Sequence, residues 1–175
     1  VLADLSPIIA ATAQWLIRAY PSGGGALASA LCEVQARQAV TVAAWLRYPT
    51  PMDAALVGMA GPGGSARLDW IAGTDDTACQ DADDRAWRTW VDEVVASWAA
   101  SLLTDPELAG LAVAAIAEDG HTAGTPAEFR RLLAPDDNDR RAAALLRHPD
   151  LLAPVSALHR EQLLQLLKPG QALIA

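Results

Sequence analysis

Four times in this chain a serine, threonine or aspartate stands directly before proline: Ser6-Pro7, Thr50-Pro51, Asp105-Pro106 and Thr125-Pro126. That pair starts an α-helix. The polar side chain satisfies an amide that the first turn leaves bare, and proline, which has no amide to leave bare, is preset for the first helical position. Between these starts, apolar residues recur at helical spacing and are mostly alanine and leucine, which favour helix. β-branched and aromatic residues, which favour strands, are sparse. The expected fold is all-α: a compact multi-helix bundle of about seven to eight helices, with an irregular segment near 61–82. At 175 residues, residues 1–175 are expected to form a single helical domain.

The first helix is expected over about 7–20, capped by Ser6, with Ile9, Ala13, Leu16 and Tyr20 on its buried face and Trp15 on the flank. After Gly23-Gly24-Gly25, a long helix over about 26–48 should bury Leu27, Leu31, Val34, Val42 and Trp45, with Gln35 and Gln38 interrupting the stripe. Thr50-Pro51-Met52-Asp53 starts a short helix ending near Gly61. The spacing of Trp87, Val91, Val94, Trp98 and Leu102 predicts one helix over about 83–103. Asp105 starts the next, running to Gly120; Thr125 and Asp136–Asp139 start two more. The last is expected over about 154–167. Leu132-Leu133-Ala134-Pro135 and Leu151-Leu152-Ala153-Pro154 read as two similar helix ends.

The net charge of −8 disfavours a general nucleic-acid binder, which carries a basic face to replace phosphate counterions. It disfavours an anionic membrane surface for the same reason, and every long apolar run is cut by charge before it reaches spanning length. Charge is uneven along the chain: 69–93 and 94–139 each sum to −6, whereas 140–175 sums to +3. Cys32 and Cys79 make neither a disulfide framework nor a zinc site, so the expectation is a cytoplasmic protein. Twelve arginines against one lysine, with abundant alanine, suggest a bacterial source with a GC-rich genome.

No motif carries chemistry. The acidic run Asp75, Asp76, Asp81, Asp83 and Asp84 lacks the alternating ligands, central glycine and closing glutamate of a calcium loop. It reads as charge at a helix start, as does Asp136-Asp137-Asn138-Asp139. His121, His148 and His159 form no i, i+4 pair for zinc; His148 reads as a dipole partner at a helix C-terminus. There is no nucleophile elbow, and the glycine runs lack the lysine of a phosphate loop. No catalytic residue, metal or cofactor is expected.

Six tryptophans against one phenylalanine remain to be explained. Trp87 and Trp98 read as core, Trp90 borders their stripe, and Trp70 falls in the irregular acidic stretch where exposure is expected. Exposed aromatics anchor protein partners. The chain therefore reads as a protein-interaction subunit: an adaptor, chaperone or accessory component of a bacterial assembly. Its expected contact residues are Trp70, Trp90, Asp75 and Asp76, with Arg140 and Arg141 opening a basic tail for an acidic partner. Its partner would be another protein or a second copy in a homo-oligomer. The alternatives are a helical enzyme or ligand-binding protein with an inter-helix pocket, and a self-associating structural domain.

Overall fold

Two helices of the chain carry the packing, and both do so with small residues. A computed structural model describes residues 4–73, 86–118 and 128–168. The described residues form ten α-helices and one 3₁₀ turn, with no strand. They are α1 (Ser6–Ala19), α2 (Ala26–Arg47), α3 (Pro51–Ala60), α4 (Ala66–Ala72), the 3₁₀ turn (Ala86–Trp90), α5 (Glu93–Thr104), α6 (Pro106–Glu118), α7 (Arg130–Leu133), α8 (Asp137–Ala142), α9 (Pro149–Ser156) and α10 (Arg160–Leu166). The fold is all-α.

Every residue of α5 from Val95 to Leu103 is buried, as expected of a helix packed on all sides. Its Ala96, Ser97, Ala99, Ala100 and Ser101 let other helices come close. α2 lies against it, and α1, α6, α9 and α10 complete the surround. α2 also receives α6, α7 and α8. Buried hydroxyls on α5 are satisfied in place: Ser97 donates to the Ser156 carbonyl at 2.9 Å, and Ser101 pairs with the Ser156 hydroxyl at 2.8 Å. A dry hydroxyl without a partner would cost about 1–3 kcal/mol.

Several sequence expectations are corrected here. In α1 the buried side chains are Ile8, Ala11, Thr12, Ala13, Trp15 and Leu16; Ala13 and Leu16 are as expected, but Trp15 is core and Ile9 the flank. Ser6 is the first helical residue rather than the cap. Asp4 Oδ1 takes its amide at 2.9 Å. In α2 the stripe is rotated: Leu27 is 74% exposed and Val34 is exposed, whereas Gln35 is fully buried beside Ala36 and Ala39. Gln35 is held there by Arg147, whose Nε donates to Oε1 at 2.8 Å, and by the Asp139 carbonyl, which accepts from Nε2 at 2.8 Å.

The single helix expected over 83–103 is instead the 3₁₀ turn, a break at Val91-Asp92, and α5. Asp92 caps α5 through Val95 N–H at 3.0 Å, takes the Tyr48 hydroxyl on its other oxygen, and gives its own amide to Thr12 Oγ1 at 3.3 Å. A short polar side chain is worth more as a cap than inside a helix. The last expected helix is likewise two, α9 and α10. At the break the His159 amide donates to Ser97 Oγ at 2.9 Å, and its carbonyl accepts from Trp98 Nε1 at 3.0 Å. Pro149 opens α9 and Pro154 lies inside it, so 151–154 is not a helix end like 132–135. His148 is the residue before α9 and not a C-terminal dipole partner.

The irregular segment expected near 61–82 contains α4, which carries Trp70. Residues 74–85 and 119–127 lie outside the described residues, and with them Asp75, Asp76, Cys79, His121 and the Thr125 start. The starts at Thr50, Asp105 and Asp136 are as expected: Thr50 with Asp53, and Asp136 with Asp139, form reciprocal capping boxes.

Candidate interaction surface

Almost no chemistry restrains α3 at its surface. Thr50 Oγ1 accepts the Asp53 amide and Asp53 Oδ2 accepts the Thr50 amide, each at 3.1 Å. Gly61, at φ 73°, ends the helix in a conformation glycine adopts without strain. Within its ten residues, Ala54 and Val57 are the buried pair. Met52, Leu56 and Met59, at i, i+4 and i+7, share the outward face, and Met52 and Met59 are 68% and 78% exposed. Asp53 is the one charged residue of α3, and it is occupied at the cap.

The loop from Gly61 to Ser65 leads into α4, whose orientation is pinned by a buried carboxylate. Asp69 accepts from Trp15 Nε1 at 2.8 Å, from Ser65 Oγ at 2.8 Å and from Arg88 at 3.0 Å. With Asp69 and Leu68 both buried, the next residue points away from the core. Trp70 is accordingly 74% exposed. A tryptophan left in water forgoes roughly 2–3 kcal/mol of burial.

The other expected contact residues are placed differently. Trp90, in the 3₁₀ turn, is half-buried against the core. Trp87 beside it has the Arg18 guanidinium 5.1 Å above its ring. Arg140 and Arg141 are exposed on α8. Because α4 packs on α9 and α8 packs on α2, Trp70 and the arginine pair belong to separate patches. Arg141 lines a groove of about 500 Å³ between α8 and the start of α2. A second, wider furrow of about 740 Å³ runs between Pro106 and Pro149; its Arg160 and Asp105 are paired with each other at 2.7 Å.

Catalytic groups do not converge among the described residues. His159 Nε2 lies 2.6 Å from Glu93 Oε1, which Arg67 also approaches at 3.4 Å. The nearby Ser97 hydroxyl meets the His159 backbone, not its ring, so no serine–imidazole pair forms there. No group of three His, Cys, Asp or Glu is placed to hold a metal ion among the described residues. No described helix is long and apolar enough to cross a membrane.

The α3 face is what sequence reasoning missed. Its signal was a ten-residue helix with one charged side chain, which fits a buried helix equally well; exposure is decided by what packs around it. No family model, curated protein or solved structure matches the chain.

Proposed function

We propose that this chain is a protein-interaction subunit, an adaptor or accessory component that docks a partner through α3 and Trp70. The observation that carries the reading is the outward row Met52, Leu56 and Met59, followed in the next helix by an exposed tryptophan. Apolar surface of this kind normally marks a binding site. Methionine is flexible and polarisable and adapts to a partner's relief, while tryptophan supplies an anchor.

A lipid surface is a poorer match. Interfacial helices set lysine or arginine beside the apolar face, and α3 has neither. Among the described residues, an enzymatic reading finds no assembled acid, base and nucleophile to build on.

The test replaces Met52, Leu56 and Met59 with serine in one variant and Trp70 with alanine in another. Both should keep the native melt, since the residues are exposed. Each should weaken capture of the partner that co-purifies with the native chain, by about tenfold or more. A partner bound equally well by both variants would refute the reading.

A further inference from the structure

We propose that the groove between the start of α2 and α8 docks a short acidic, leucine-bearing peptide segment of a partner protein. The surface is distinct from α3. Its apolar side is built by Leu27, Ala28 and Leu31 on successive turns of α2. Leu27 stands out of the core altogether, although its helix has buried positions to offer. Gly24 lets the chain fold tightly onto the first turn of α2, because a Cβ there would lie 2.4 Å from that of Ala28. The space of about 500 Å³ holds a few side chains, the size of a peptide anchor rather than of a folded surface.

The opposite wall supplies the charge. Its charged lining is Arg131 and Arg141 against one carboxylate, Asp136, on a chain whose net charge is −8. Arg131 is committed to the buried Asp139. Arg141 is hydrogen-bonded to the neutral Asn138 side chain at 2.6 Å, and among the described residues neither it nor Arg140 forms an ion pair. Asp136, the carboxylate in the groove, is occupied by the Asp139 amide at 2.9 Å and by Arg130 at 3.8 Å. α2 adds to the field in a small way: Gly25 gives it no side-chain cap and its first turn has no acid, so its positive end is uncompensated. A local excess of positive charge on an acidic molecule selects an acidic occupant, and the rest of the surface repels that occupant from other sites. The exposed leucine wall selects an apolar side chain between the acids.

The experiment is a selection of random twelve-residue displayed peptides on the full chain, followed by anisotropy measurements with the synthetic consensus peptide. Enriched peptides should carry aspartate or glutamate around a leucine-sized residue. The consensus should bind Arg141→Glu and Leu27→Asp about tenfold or more weakly, and raising salt should weaken it on the native chain. Met59→Ser should bind it normally, which separates this groove from the α3 surface. Three outcomes overturn the proposal. One is no enrichment, or enrichment without acids. Another is equal binding to Arg141→Glu. The third is a native dimer by sedimentation that Leu27→Asp converts to a monomer, which would make a second copy the occupant.

Discussion

Replacing Gln35 with leucine should destabilise the chain, although it inserts an apolar side chain of similar size into a site with no solvent exposure. Gln35 is the acceptor for Arg147 Nε at 2.8 Å and donates to the Asp139 carbonyl at 2.8 Å. Arg147 also donates to the Leu103 carbonyl at 3.0 Å and to the Arg131 carbonyl, so one guanidinium ties α5 and α7 to α2. Burial has pushed its pKa down to about 10, against the opposing pull of Asp139. In Gln35→Leu the Asp139 carbonyl keeps the Ala143 amide at 3.1 Å. The cost therefore falls on Arg147 Nε, a charged donor left dry.

Such a group costs about 1–3 kcal/mol or somewhat more, and the better transfer of leucine offsets about 1. The expected net loss is about 2 kcal/mol, a drop of about 4–8 °C in melting temperature for a chain of this size. Denaturant unfolding followed by tryptophan fluorescence reads it directly. Leu27→Ala on the same helix is the control and should stay within about 0.5 kcal/mol. The double variant Gln35→Leu/Arg147→Met should recover part of the loss, because no charge is then stranded. A Gln35→Leu chain within about 0.5 kcal/mol of native would refute the reasoning.

Three further outcomes follow from single sites. Burial raises the Asp105 carboxyl, but the Leu108 amide at 3.0 Å and the Arg160 guanidinium outweigh it and hold its pKa below the usual carboxylate range. Its contribution is present above pH ~4 and lost as pH falls through the folded value. Asp105→Asn should melt about 2–4 °C below native at pH 7 and converge with it in acid. Tyr20 and Tyr48 are both raised above their ordinary value by burial, Tyr48 also by Asp92. The stability they give is present below pH ~10 and lost above it, and an ultraviolet titration should show less than half the tyrosinate signal at pH ~10; a half-titrated signal there would contradict their placement. Trp15→Phe removes a donor to the buried Asp69 and should cost about 1–3 kcal/mol, whereas Trp70→Ala should cost under about 0.5, by the same denaturant assay.

What the sequence made legible was local. The Thr50–Asp53 and Asp136–Asp139 boxes span three residues each, and the Asp105-Pro106 start is adjacent, so their physics is complete within one turn of chain. What it hid was set by distant partners. Asp92 breaks the expected 83–103 helix because Thr12 and Tyr48, 80 and 44 residues away, make it a cap. Gln35 reads as an interruption of an apolar stripe until Arg147, 112 residues on, turns it into a buried acceptor. Leu27 and Leu31 read as core because leucine usually is. The exposure of Trp70 was anticipated from an irregular segment but arises from a helix pinned by Asp69. The α3 face was invisible for the same reason in reverse: its composition says buried, and no long-range partner among the described residues arrives to bury it.

The most direct measurement of the docking claim is photo-crosslinking from single benzophenone side chains placed at Met59 and, as a control, at the exposed Arg37 of α2, in the cells that make the protein. The account predicts one discrete crosslinked partner from position 59 and none from position 37. No product from 59, or the same products from both positions, would contradict it.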